Sequence, residues 1–354
     1  MTAHAVVATT LAAARAAAAA HGPANFLNGT FSNFWFVLIL KVVLLMGLVL
    51  TVPLGIGYME HKVLAHMQHR LGPMEAGRFH GWAQLIADGV KFIQKEDVIP
   101  DAADPLIFTL APAVALVPYI VIFLVIPFGR TIWGENLDVG IFYTLAIGSV
   151  GVVGVLMAGW ASANKFSLIG ALRAAAQLIA YELPLVLAAV AVVMQAGTLS
   201  LVGISEAQHR YWFVFTQPVS FVVFLVASLA ELTRPPFDMP VADSEIIFGA
   251  YTEYTGLKFA FFLLAEYAGI VALSGIASVL FLGGYLGPPR IAGLLPQPIW
   301  MMAKVGALSF LVVWLRATYP RLREDQLQRF SWVVLIPVML ADIMVTAFVK
   351  VAVK

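Results

Sequence analysis

Long apolar runs alternate with short polar connections along this chain. Eight runs are long and apolar enough to cross a bilayer, at about 34–57, 107–128, 141–162, 174–196, 212–230, 257–283, 298–315 and 331–350. A spanning helix needs roughly 20 mostly apolar residues. The runs are continuous rather than alternating, which argues against a closed barrel. The expected fold is an all-α integral membrane protein with eight transmembrane helices.

The longest connection, 58–106, has a pattern of its own. Gln84, Asp88, Lys91 and Lys95 recur on one helical face, with Trp82, Leu85, Ile86, Gly89 and Ile93 opposite. That periodicity predicts an amphipathic helix lying in the membrane interface. Gly72-Pro73 marks a turn before it, and Pro100 ends it. Ahead of the first run, the alanine-rich stretch 11–20 is interrupted by Arg15 and too weakly apolar to span. Residues 1–33 therefore read as a flexible, uncleaved extension, and 34–350 as a single polytopic domain.

Composition supports the membrane reading, with 61% hydrophobic and 12% charged residues. A net charge of +1 gives no drive toward nucleic acid. The absence of cysteine removes disulfides, thiolate zinc sites, cysteine-ligated iron–sulfur clusters and cysteine nucleophiles. His61, His66, His69 and His80 cluster in the first long loop, but not at a metal-ligating spacing. No phosphate-binding glycine loop and no G-x-S-x-G elbow is present.

Basic residues are distributed unevenly. The first, third, fifth and seventh connections with their flanks carry 13 Lys and Arg, and the opposite side carries 6. By the positive-inside rule these four connections face the cytoplasm and both termini lie outside.

The acids are concentrated as well. Glu231, Asp238, Asp243, Glu245 and Glu253 fall within one short connection that also holds Arg234, while the whole chain has 20 acids. Acids at a membrane boundary are costly unless paired or hydrated, and they mark ion or proton routes. Phe237, Ile246, Ile247, Phe248, Tyr251 and Tyr254 give this connection too many large apolar groups for a free loop. It is expected to pack onto the bundle, where crowded carboxylates titrate as a coupled set. Arg234 stands three residues after Glu231, near enough to pair if the helix continues. Glu182 lies inside an apolar run beside Pro184; Arg173 is about 13 Å away along that helix and out of reach. Glu266 and Asp342 are further intramembrane relay candidates, and Lys41 and Lys304 could snorkel.

Several motifs, taken in order, resemble a known family. They are Glu60-His-Lys with Arg70-Leu-Gly-Pro73, Ala87-Asp-Gly-Val-Lys91, Gly170-Ala-Leu-Arg-Ala-Ala-Ala-Gln177 and Tyr181-Glu-Leu-Pro184. Ala230-Glu231, Pro236-Phe-Asp238, Ser244-Glu245, Glu253-Tyr254, Ala265-Glu-Tyr267 and Arg316-Ala-Thr-Tyr-Pro-Arg321 follow. The chain is thereby similar, over about 34–350, to the H subunits of proton-pumping NADH:quinone oxidoreductase, respiratory complex I.

The resemblance implies a subunit without a redox centre, inactive alone, that anchors the redox arm. It implies quinone as substrate, with NADH, FMN and iron–sulfur clusters in partner subunits. Two peripheral-arm subunits and small membrane subunits would be its neighbours in a bacterial inner membrane. Loops 58–106 and 231–256 would form the quinone side, with Arg70, Asp88, Arg234, Phe237, Tyr254, Arg316 and Arg321 in the chamber. Glu182, Glu231, Asp238, Asp243, Glu245 and Glu253, with Glu266, would begin proton coupling. His61, Met74, Val241 and Glu324 depart from the usual family pattern. A hydrogenase-type membrane subunit and, from another class, a secondary cation/proton antiporter are the competing readings.

Overall fold

The computed structural model describes residues 25–27, 33–288 and 293–352; the side chains of Asp243 and Ser244 lie outside the described set. The reading of 1–33 as an extension therefore falls almost wholly outside the described residues. The described chain contains helices α1 (Phe34–Met67), α2 (Gln84–Gln94), α3 (Pro105–Phe123), α4 (Gly140–Ala161) and α5 (Lys165–Ala196). Short helices α6 (Leu201–Ala207) and α7 (Phe213–Thr216) lead into α8 (Pro218–Glu231). Then come the single turn α9 (Asp243–Ile246), α10 (Gly256–Phe281), α11 (Gln297–Thr318) and α12 (Glu324–Ala352).

Seven helices, α1, α3, α4, α5, α10, α11 and α12, are long and apolar enough to span a membrane. The remaining expected crossing is α8, which has only 14 residues. Pro218 takes the first helical position, where its missing N–H costs nothing, and Gln217 before it leaves the helical conformation at φ −129° and ψ 55°. The expected run 212–230 is thus broken, and α8 rises only about 21 Å.

Three helices run past their apolar spans, α12 starting at Glu324, seven residues before the expected 331. α1 begins at Asn33, whose side chain accepts from the amides of Trp35 and Phe36, and continues ten residues beyond the expected 57. α5 begins at Lys165, nine residues before the expected start, with Asn164 as its cap accepting from the Phe166 amide. Nothing in these polar extensions breaks a helix, so the hydrogen-bond ladder continues out of the apolar zone. Gly197, left-handed at φ 76°, ends α5.

α5 and α10 are the most buried spans, while α1 and α12 lie at the periphery. Small residues let helices approach closely. Gly154 of α4 lies on the Ala115 backbone of α3, and Gly159 lies on Ser167 and Ala171 of α5. In α12 the turn Phe330–Leu335 is a π-helix, and the Ser331 hydroxyl within it donates to the Ala180 carbonyl at 2.5 Å.

The amphipathic helix forms as expected, over Gln84–Gln94. Its polar stripe is internally paired, with Asp88 accepting from Gln84 at 3.1 Å and from Lys91 at 2.7 Å. Leu85 packs against Gly57 of α1, while Trp82, Ile86 and Ile93 stay exposed along the apolar flank. The loop is tied at both ends. Tyr58 donates to the His80 carbonyl and Lys62 to the Pro73 carbonyl, and Lys258 pairs with Asp97 at 2.8 Å.

Candidate functional site

One stripe of α5 organises the acidic connection. Gly170, Arg173, Gln177 and Tyr181 fall at i, i+3, i+7 and i+11, a single helical face. Gly170 admits the backbone of Gly249, itself left-handed at φ 54°. Arg173 donates to Glu245 at 2.5 Å and lies 3.6 Å from Glu324. Gln177 donates to the carbonyls of Ala230 at 2.8 Å and Phe237 at 2.6 Å. Tyr181 donates to the Leu327 carbonyl at 2.9 Å, and its ring meets Phe237 edge-on at 5.3 Å. Residues 232–255 therefore lie down along the bundle, as their apolar content implied. Gln177 stands about 18 Å of helix rise beyond Lys165, so the end of α8 is recessed well below the start of α5.

The charged groups sort into two tiers. In the deeper tier, the Arg234 guanidinium is almost completely withdrawn from solvent at 2% side-chain exposure. It pairs with Glu60 of α1 and, at 2.7 Å, with Glu266 of α10, and it lies 4.9 Å from the Tyr267 ring. Glu60 also accepts from Arg316 of α11. Two carboxylates and two guanidiniums from four segments thus neutralise one another, the condition for burying charge in a low-dielectric interior. In the outer tier, Arg321 bridges Asp238 at 3.1 Å and Glu245 at 3.2 Å. The Arg173 hydrogen bond holds the Glu245 carboxyl below its ordinary value, burial opposing it weakly and Arg321 adding to it.

Beside the deeper tier lies a cavity of about 270 Å³, lined by Tyr119, Glu231, Arg234, Asp238, Tyr251 and Glu266 among others. Glu231 does not pair with Arg234. α8 ends at Glu231 and Thr233 turns left-handed at φ 49°, so the helical spacing that would have brought them together is lost. The Glu231 Oε2 atom is buried with no hydrogen-bond partner among the described residues, and Glu182 is the charge that bears on it. Glu182 itself is half-buried against the Ser149 hydroxyl.

The other expected residues take other places. Glu253 accepts from Asn164 at 2.6 Å, at the mouth of α5. Tyr254 stacks flat on Phe108 at 4.0 Å, with its hydroxyl donated to the Phe108 carbonyl. Burial pushes the hydroxyls of Tyr251 and Tyr254 up, so both stay neutral. Arg70 is exposed, and its side chain donates to Gln68 at 2.9 Å. Asp88 stays on the paired stripe of α2, where its bonds to Lys91 and Gln84 outweigh burial and hold its carboxyl low. Phe237 is buried, and the Asp243 side chain lies outside the described residues. The cavity therefore gathers Glu231, Arg234, Asp238, Glu266 and Arg316, while Arg70, Asp88, Phe237 and Tyr254 stand away from its lining.

Glu60, the centre of the deeper tier, entered the sequence reading only as part of a motif. Its signal was present, since it stands three residues beyond an apolar run in an unbroken helix. Three of the positions that depart from the usual family pattern have a definite place in the structure. Glu324 adds a second acid to Arg173, Met74 sulfur accepts from Lys62 at 3.2 Å, and Val241 lines the cavity. Lys41 and Lys304 both reach backbone carbonyls at the end of the bundle opposite the loops, on Gly134 and on Leu282, Gly284 and Leu286.

The NADH dehydrogenase family model matches residues 40–347. The H subunit of the NADH-quinone oxidoreductase of Bacillus mycoides (strain KBAB4) is 44% identical over 321 residues, covering 91% of this chain and 96% of that protein. The H subunits of Bacillus cereus (strain B4264) and Bacillus thuringiensis subsp. konkukian (strain 97-27) match with the same identity and coverage. With its set of membrane-spanning helices, the chain belongs to the NADH dehydrogenase family, as a multi-pass membrane subunit of an NADH-quinone oxidoreductase, complex I.

Proposed function

We propose that this chain forms the membrane side of the quinone chamber and begins the route that couples quinone reduction to proton movement. The observation that carries the reading is the buried, unpartnered oxygen of Glu231 in an acid-lined cavity next to a neutralised ion cluster. The cluster is electrically closed, so it fixes geometry. Glu231 lines the cavity outside that cluster and keeps a buried oxygen without a hydrogen bond, so it is the first group whose charge can change.

Reduction of a quinone to a quinol takes up two electrons and two protons. In this reading NADH, FMN and iron–sulfur clusters sit in partner subunits and deliver the electrons, and the chain itself bears no redox centre and does not act alone. Two peripheral-arm subunits cover the loops at 58–106 and 231–256, with small membrane subunits alongside. Arg316, at the edge of the cluster, and Arg321 and Arg70, further out, line the approach of the headgroup. A charge change there is answered by protons shifting among Glu231, Asp238, Glu245 and Glu253, then toward Glu182, because close carboxylates cannot all ionise independently. The loops face the cytoplasm of a bacterial inner membrane, with both termini outside.

The test is Glu231→Gln in the assembled complex, with quinone reduction and proton pumping scored separately. Loss of pumping, with or without loss of reduction, is the expected result. Normal assembly with both rates unchanged would remove Glu231 from the route.

A further inference from the structure

At the end of the bundle opposite the acidic connection, a second recess of about 410 Å³ opens between α5, the α7–α8 junction and α12. Its lining includes Gln195, Thr216, Gln217, Asp342, Thr346 and Lys350, with Val345 and Val349 between them. Most outward positions of α12 are apolar, Met344 and Phe348 being 73% and 75% exposed. The polar groups are confined to the recess and ordered by depth. Lys350 caps the Met194 carbonyl near the rim, and Gln195 bonds Thr216 at 2.8 Å. Deeper, Gln217 donates to Thr346 at 2.8 Å, and at the base the Ser220 hydroxyl donates to Asp342 Oδ2 at 2.5 Å.

Asp342 lies eight residues from Lys350 on the same helix, about 12 Å deeper. One hydroxyl satisfies only part of a carboxylate, which can accept at about four lone-pair sites. A carboxylate so placed requires water or a proton, because lipid supplies neither. The roomy recess, the polar side chains spaced along it and the half-satisfied acid at its base agree on one occupant.

We infer that this recess is a hydrated cleft that brings water to Asp342 from the membrane face opposite the loops, with Asp342 as its proton-binding group. Hydration is independent of the reading given under Proposed function; the proton role rests on it.

The absence of native cysteine makes the cleft directly measurable. Val349→Cys, Thr346→Cys and Val345→Cys would be placed singly in the assembled complex in membrane vesicles. Each would be treated with a charged, membrane-impermeant thiosulfonate, and Met344→Cys and Phe348→Cys would report the lipid-facing side. Thiols react as thiolates, which form only where water reaches. The expected result is labelling of the cleft positions at least tenfold faster than the two controls, from the face opposite the loops. Equal rates would overturn the hydrated cleft, whatever the outcome at Glu231. For the proton role, Asp342→Asn is expected to lower protons moved per electron pair at least twofold, whereas Met344→Ala, on the lipid-facing side, leaves that ratio unchanged. An unaltered ratio in Asp342→Asn would overturn Asp342 as the binding group while leaving the labelling result standing.

Discussion

Arg234 reaches across 174 residues of sequence to bond Glu60, and both side chains are almost wholly buried. The pair joins the segment after α8 to the protruding end of α1. Glu266 and Arg316 extend the link to α10 and α11.

Removing one member of such a cluster leaves an uncompensated buried charge, which costs about 3–5 kcal/mol. Arg234→Met is therefore expected to lower the thermal midpoint of the solubilised complex sharply or to abolish assembly, as seen on native gels. Arg234→Lys keeps the charge but not the fork that serves two acids, and should fall between. Adding Glu266→Gln to Arg234→Met should recover part of the loss, because an orphaned carboxylate disappears. Strict additivity of the two single variants would argue against the coupled cluster.

Gly170 is the place where the acidic connection touches α5 most closely. A methyl there would lie 2.5 Å from the Cα of Gly249 and 2.7 Å from the amide nitrogen of Ala250, both backbone atoms. Gly170→Ala is expected to cost about 1–3 kcal/mol through overpacking. Proteolysis within 232–255 should accelerate in this variant, while Gly55→Ala, which meets nothing within 4 Å, should behave as wild type.

The Arg173–Glu245 contact carries a pH dependence of definite sign. Arg173 holds the carboxyl below its ordinary 4.5, so the ionised form is favoured in the folded state. Its contribution is present above that ordinary value and is lost as pH falls through the lower folded value. Glu245 is about half exposed, so the contribution is at most about 1 kcal/mol. Hydrogen-exchange protection of 239–254, corrected for intrinsic rates, should decline below about pH 4.5. In Glu245→Gln that decline should be absent.

Lys304 donates to three carbonyls, of Leu282, Gly284 and Leu286, and lies 4.5 Å from the Trp212 ring. Lys304→Met would leave buried acceptors without a partner, at about 1–3 kcal/mol for each one that water cannot reach. The expected readout is faster exchange of the turn at 282–286 with little change around Gly249. Unchanged exchange at 282–286 would show that the ammonium is not what orders this turn.

Much of this architecture was legible because apolar length is a strong signal. Seven of the eight long apolar runs and the amphipathic stripe at Gln84, Asp88 and Lys91 are present as read. Helix ends were less visible. The apolar rule stops where hydrophobicity stops, but the backbone ladder of α1 runs on to Met67, carrying Glu60 into the site. The break at Gln217-Pro218 is a one-residue signal inside an apolar run. The Glu231–Arg234 pairing assumed a helix that Thr233 ends, and which acid answers Arg234 is decided by α1 and α10, far away in sequence. That the acids cluster was readable; which of them are neutralised and which face open space required the fold.

The brevity of α8 has an electrical consequence. A membrane potential falls across the insulating layer, and moving one charge through all of it takes about 2.3 kcal/mol per 100 mV. Where α8 stands, the apolar rise is about 21 Å in place of a full bilayer core of about 30 Å. Were the acidic cavity filled with water, a charge resting at Glu231 would have been carried part of the geometric distance at little electrical work. Most of the voltage would drop over α8 itself, so the short helix would concentrate the field beneath the acidic cavity.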